Sequence, residues 1–243
     1  VDIYGYPCEL DELRAIADRH GLTLIEDACE ALGAVYRGAP VGGHGVSCVF
    51  AFYPNKQITT GEGGVVTTHS EEEWRLLRSL RNQGRPEPGG WLEHVRLGFN
   101  YRLSDLACAL GIGQLERLDE ILALRSQAAA RYEQFLAGLD GVELPCPDDA
   151  EHRRSWFVYV VLLPDSETRE RVAAAFERAG IGYGRYLPAI HLQPYLRERY
   201  GFREGLCPVA EDVSSRSLAL PFWTGIEAAA QERVSEVLAS ALR

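Results

Sequence analysis

The stretch that most restricts the fold is VSCVFAFYPNKQITTGEGGVV, residues 46–66. Residues 46–52 form an apolar run rich in aromatic and β-branched side chains, bounded by Gly42-Gly43 before it and Pro54-Asn55 after it. This pattern predicts a buried strand with Val49 and Ala51 on one face and Phe50 and Phe52 on the other. The strand ends just short of Lys56, the single lysine in the chain. Residues 59–64 then place three glycines around Glu62, a turn that permits close backbone approach, and residues 65–68 read as the next strand. Lys56 therefore stands in a loop at the carboxyl end of a strand, where open α/β sheets bind their ligands. Every other long cationic side chain is arginine. What lysine alone offers is an amine that can lose its proton and attack a carbonyl. A solvated loop lysine would have the same setting in sequence.

Residues 22–25 form a second short apolar run, which ends in Glu26-Asp27. An aspartate leaving a buried strand keeps its charge only beside a cation or a hydrogen-bond donor. One chemistry uses both a loop lysine and such a carboxylate. Pyridoxal phosphate forms a Schiff base with lysine, and a carboxylate on its pyridinium nitrogen maintains it as an electron sink. Asp27 is equally suited to cap the segment that follows it.

The segments Asp27-Ala28-Cys29-Glu30-Ala31-Leu32-Gly33-Ala34, Phe52-Tyr53-Pro54-Asn55-Lys56 and Thr59-Thr60-Gly61-Glu62-Gly63-Gly64, with the glycines of residues 42–45, resemble the DegT/DnrJ/EryC1/StrS family of pyridoxal-phosphate sugar aminotransferases. The resemblance continues through Gly98-Phe99-Asn100-Tyr101-Arg102-Leu103-Ser104 and Gln114-Leu115-Glu116-Arg117-Leu118 to His191 and residues 218–222, covering nearly the whole chain. It implies a fold type I α/β architecture: part of a large domain with a mostly parallel sheet, followed by a small C-terminal α+β domain. It also implies a Schiff base on Lys56 and transfer of an amino group, usually from glutamate, to a nucleotide-linked keto-sugar in polysaccharide or amino-sugar biosynthesis. Asp27 and Glu30 are implied as cofactor neighbours. Asn100 is implied to reach the cofactor phosphate of the opposite subunit, hence a homodimer with shared active sites, and Tyr186 and His191 are implied as substrate contacts.

This chain departs from the family pattern at two positions. Ala51 stands where many members carry a serine whose hydroxyl binds the phosphate. Glu30 replaces a commoner glutamine or histidine, and a carboxylate there would repel the cofactor's phenolate unless protonated or turned elsewhere.

With 243 residues, 46% of them hydrophobic, the chain can bury a large core as one large or two smaller domains. The polar, Pro-bearing stretch 141–154 is the expected joint, giving domains 1–140 and 141–243. A net charge of -10 argues against nonspecific nucleic-acid binding. No segment is long and apolar enough to span a bilayer, and six scattered cysteines without CxxC or metal-ligand spacing suit a reduced, cytoplasmic setting. The chain contains no methionine, and the resemblance places Val1 in the middle of the family's large domain. The expectation is therefore an incomplete enzyme, lacking the upstream turn that holds the cofactor phosphate.

Helices are expected at residues 10–20, where Leu10, Leu13, Ile16 and Ala17 recur at helical spacing, at 71–82, from Ser104 to about 139, at 167–179 and after Thr224. Strands are expected at 156–163, 181–187 and 218–223, a surface hairpin at 36–43 and a loop at 83–90. Residues 186–195 resemble a family loop that closes over the sugar. Two rival readings stand beside the aminotransferase. A dehydratase of the same fold commonly carries histidine in place of the lysine, and a regulatory relative would bind cofactor without turnover.

Overall fold

The computed structural model describes the whole chain except Glu87 and Trp91. The chain forms two compact units, Val1–Leu122 with Asp148–Phe157, and Ala123–Pro147 with Val158–Arg243.

The first unit opens with α1 (Leu10–His20), which ends where Gly21 adopts the left-handed conformation and its amide caps the last turn. Leu10 and Ala17 are buried, but Leu13 and Ile16, expected on the same face, are exposed. Next come β1 (Ile25–Asp27), the short hairpin of β2 (Val35–Tyr36) and β3 (Ala39–Pro40), β4 (Ser47–Ala51) and β5 (Gly64–Thr67). Strand β1 pairs parallel with β4, placing Asp27 opposite Val49. Strand β4 pairs antiparallel with β5, Ala51 opposite Gly64. The sheet is thus mixed rather than mostly parallel, because the chain turns straight back through residues 52–63 instead of crossing over. Alternation along β4 buries Cys48 and Phe50, and Phe52 and Ile58 join them in a core with Ala28, Ala31, Ala34, Val41 and Ile121.

Two further helices belong with this sheet in sequence order, α2 (Glu71–Arg81) and α3 (Asp105–Leu115). The side chains of Ser70 and Ser104 accept from the amides of Glu73 and Ala107 and so cap both helices. The single helical region expected from 104 to 139 is broken after α3, and α4 (Leu118–Leu136) follows. Of the loop expected at 83–90, Glu87 lies outside the described residues.

Residues 148–157 return to the first unit. Strand β6 (His152–Arg153) pairs with β2, so the predicted surface hairpin is the outer part of a three-stranded sheet, with Tyr36 fully buried behind it. Trp156, expected in a strand, has φ of 38°, which interrupts the pleat, and β7 begins only at Tyr159. Gly5 lies directly under this bend. A Cβ there would sit 3.1 Å from the amide nitrogens of Trp156 and Phe157, so the crossing backbone would have to give way by a few tenths of an ångström, and Gly5 itself has a φ of 86° that suits glycine.

In the second unit β7 (Tyr159–Leu162) pairs antiparallel with β8 (Ser217–Leu220), every residue of which is buried. Helix α5 (Ser166–Arg178), capped by Asp165, packs against α8 (Ala228–Leu242), and Val172, Phe176, Leu218 and Leu238 are fully buried. The strand expected at 181–187 is reduced to one bridge between Gly184 and Ala219, since glycine at 182 and 184 gives a strand no side chains to pack. Between them α6 (Pro194–Tyr200) and α7 (Pro208–Arg216) each begin on a proline that has no amide to leave unpaired. Among the described residues no helix is long and apolar enough to cross a membrane.

Phe176 fills the centre of the second unit, whereas Val209 on α7 is 76% exposed. Phe176→Ala should lower unfolding free energy by about 3–5 kcal/mol. Val209→Ala should change it by less than about 0.5 kcal/mol, both read from urea denaturation followed by circular dichroism.

Candidate active site

Lys56 owes its position to what surrounds it in the loop between β4 and β5. Phe52 and Ile58 insert into the core on either side, and the amide of Lys56 closes a turn on the Tyr53 carbonyl at 3.0 Å. The Phe52 carbonyl accepts from the Thr60 amide at 3.0 Å and the Thr59 hydroxyl at 3.1 Å, and the Phe52 amide reaches the Gly63 carbonyl at 2.8 Å. From α3, Gln114 Oε1 accepts from the Thr59 amide at 2.8 Å. Gln57 is only 4% exposed, and its Nε2 donates to the Ser155 hydroxyl at 3.0 Å and to the Glu30 carbonyl. Gln57 is thus a buried clamp beside the lysine.

With its backbone fixed, the Lys56 side chain is 13% exposed, and Nζ lies 3.4 Å from Glu30 Oε1 and 4.2 Å from the centroid of the Phe157 ring. Glu30 Oε2 accepts from the Tyr4 amide at 3.0 Å. One Glu30 oxygen therefore faces the amine while the other is held by backbone.

Asp27 ends β1, exposed where its neighbour Glu26 is buried. Its Oδ1 accepts from the Cys29 amide at 3.1 Å. Burial alone would raise this carboxyl, but the Cys29 thiol and amide, with the nearby charge of Lys56, hold it below the usual carboxylate range. The Cys29 thiol itself is pushed up to about 12, by burial first and then by Asp27. It remains a protonated donor rather than a nucleophile.

The structure brings Asp27, Glu30 and Lys56 together in the first unit. Asn100, in the same unit, is exposed in an isolated bridge with Asn82 and shares no hydrogen bond with those three. Tyr186 and His191 belong to the second unit. The Tyr186 carbonyl accepts from the Ser217 hydroxyl. His191 is about nine-tenths buried, with Nε2 2.8 Å from Glu211 Oε1, and Glu211 also accepts from the amides of Gly205 and Cys207. Those amides and His191 hold the Glu211 carboxyl below its usual range. A cavity of about 550 Å³ lined by Glu71, Arg75, Ser79 and Arg96 contains none of these residues.

An amine in the β4–β5 loop thus faces a carboxylate from the segment after β1, with an ionised aspartate at the end of that parallel-paired strand. Residues 1–239 match the model of the DegT/DnrJ/EryC1/StrS aminotransferase family, and the chain belongs to that family. It is 40% identical over 198 residues to GDP-perosamine synthase of Caulobacter vibrioides, covering 80% of this chain and 53% of that protein. It is 32% identical over 232 residues to the spore coat polysaccharide biosynthesis protein SpsC of Bacillus subtilis, covering 90% and 59%. Among solved structures it resembles S. venezuelae DesV in complex with a ketimine intermediate, with a TM-score of 0.90 and 34% identity, covering all of this chain and 64% of that one. These coverages mean that the chain spans between 53% and 64% of the length of these relatives.

Aminotransferases of this family depend on pyridoxal phosphate. The residues present suit its reactive end and its ring. Lys56 would supply the amine for its aldehyde carbon, and Asp27, held ionised, would supply a carboxylate for its ring nitrogen. Ala51 offers the phosphate no hydroxyl.

Sequence reading missed Phe157, Tyr4 and Ser155, which reach the lysine loop from parts of the chain distant in sequence. Phe157 carried no signal beyond belonging to an apolar run.

The depressed native carboxyl of Asp27 fixes a pH dependence. Asp27 contributes stability that is fully present above the unfolded-state value of about 3.9 and is lost as pH falls through the lower native value. Asp27→Asn should therefore cost stability near neutrality and flatten the acid end of the stability–pH curve, measured by denaturation between pH 6 and 2.

Proposed function

We propose that this chain carries the lysine-bearing part of a pyridoxal-phosphate sugar aminotransferase that moves an amino group from glutamate to a nucleotide-linked keto-sugar. The observation that carries this reading is the placement of Lys56, the single lysine, between Glu30 and Phe157. The cofactor, when bound, supplies the electron sink that lets an amino acid lose its α-proton.

The protein's part is binding and proton handling. Lys56 would hold the cofactor covalently at rest. Once the incoming amino donor displaced it, its free amine would be placed to take and return the donor's α-proton. Glu30, 3.4 Å from Nζ, keeps a counter-charge on the amine whenever it is protonated, so the proton stays at the reacting atoms. Phe157 covers the amine and excludes water from that side. Asp27 keeps the ring nitrogen protonated, which needs a carboxylate that stays ionised. The Cys29 donors provide for that. A lysine here also separates the chain from the dehydratase branch, which commonly has histidine at this position.

Tyr186 and His191 are proposed to face the sugar, the latter oriented by Glu211. A homodimer is proposed through α3. This helix is apolar all round yet leaves Leu106 86%, Ile112 59%, and Leu110 and Leu115 each 47% exposed, a surface that a helix normally buries. Asn100 precedes it and would reach the other subunit's cofactor phosphate.

Borohydride reduction in the presence of pyridoxal phosphate should fix the cofactor on the peptide containing Lys56. Lys56→Ala should abolish that label and cut turnover by about 10²–10⁴-fold or more. Label on any peptide other than the one containing Lys56, or label surviving in Lys56→Ala, would reject the assignment. Leu106→Asp should shift the protein from dimer to monomer in sedimentation velocity.

A further inference from the structure

On the face of β1 opposite Asp27 lies a second set of reactive side chains, none of which the transamination uses. Asp2 is fully buried and Glu26 is 4% exposed, with Cys8 partly buried beside them. One ligating atom from each of the three lies within 4.8 Å of the others. Asp2 Oδ1 accepts from the Cys8 amide at 2.9 Å, while Oδ2 has no hydrogen-bond partner. Glu26 Oε2 accepts from the Gly42 amide at 3.2 Å, and the Cys48 thiol donates to the same carboxylate. Among the described residues neither acid forms an ion pair with an arginine or with the lone lysine.

Two buried carboxylates without a cationic side chain are costly, and a fully buried oxygen without a donor adds to that cost. The thiol narrows what would relieve it. Magnesium and calcium take oxygen ligands only, whereas one sulfur with two carboxylate oxygens suits a borderline-soft ion. We propose that Asp2, Cys8 and Glu26 form a structural site for a thiophilic divalent cation, with Zn²⁺ the best match.

Bond lengths of about 2.0–2.3 Å to oxygen and sulfur put tetrahedral ligand atoms about 3.4 Å apart, so from their 4.8 Å limit the three atoms draw in by up to about 1.4 Å. The fourth position is left to water. On binding, the Cys8 S–H bond breaks and an S–Zn bond forms, with the proton released to solvent and no change in oxidation state. The Cys48 thiol stays on Glu26 and orients it. The site ties residues 2–8 to β1, adding to the bond from the Asp2 amide to the Asp27 carbonyl at 2.9 Å. Its role is to stiffen the strand end that presents Asp27, and it does not depend on the sugar or donor assigned to the reaction.

The test uses Co²⁺ alone as a spectroscopic probe on the full chain, with the exposed Cys146 and Cys207 replaced by serine. One equivalent should give a near-ultraviolet thiolate-to-cobalt band that Zn²⁺ removes. Cys8→Ser should abolish the band, and Asp2→Asn should weaken binding by about 10-fold or more. Absence of a thiolate band, or its survival in Cys8→Ser, would overturn the site. Should either variant fail to fold, zinc-edge X-ray absorption of the Zn²⁺-loaded parent decides. One sulfur among oxygen neighbours supports the site, and a shell of nitrogen and oxygen alone rejects it.

Discussion

The parallel pairing of β1 with β4 is the constraint from which the rest of the first unit follows. Its register sets Glu26 opposite Cys48 and Asp27 opposite Val49, and the Ala28 amide extends the ladder to the Val49 carbonyl at 3.0 Å. Because side chains alternate, this one register sends Glu26 and Cys48 into the interior and leaves Asp27 at the open end of the strand. A slip of one residue would exchange them, burying the aspartate and exposing the glutamate. The same strand end delivers Glu30 three residues later to the amine of Lys56, so two acids of different role come from one short segment.

The lysine loop is held from three separate directions. Residues 52–63 form a long connection, and such a loop would ordinarily be mobile. Here Gln114 holds Thr59, Gln57 locks against Ser155 and Glu30, and Phe52 and Ile58 anchor both flanks in the core. Gly63 completes the closure, since a Cβ there would fall 2.8 Å from Leu103 Cδ1 and 2.5 Å from the Thr60 hydroxyl. Preorganisation of this kind fixes the backbone that carries the lysine, so its amine is held at one place between Glu30 and Phe157.

Local chemistry made much of this readable in advance. The apolar run at 46–52, the lone Lys56 and the Glu26-Asp27 strand end each announced their place through periodicity and composition. Ser104 marked a helix start that the structure keeps. What could not be read were contacts between distant segments. Phe157 and Ser155 lie about a hundred residues beyond Lys56, and nothing in an apolar run says which loop it will cover. The strand expected at 181–187 failed because β-propensity is a statement about packing, and two glycines supply none. Helices α6 and α7 did carry a signal, a proline at the first position of each and Gly201 after the former, which weighs little without an apolar face to support it. Glu30 was recognised as a site residue, but its actual hold on Tyr4 and Lys56 required coordinates.

Residues 148–157 belong to the first unit although some twenty-five residues of the second precede them. This interleaving orders events on the ribosome. The sheet, the lysine loop and the carboxylates are all synthesised by residue 122, yet Phe157 cannot close over Lys56, nor Ser155 receive Gln57, until the chain has gone into the other unit and come back. A nascent chain arrested before that return would hold its only lysine uncovered, with Gly5 still awaiting the backbone that crosses it. Completion of the first unit is therefore tied to the growth of the second, and the amine is among the last groups in its own unit to be enclosed.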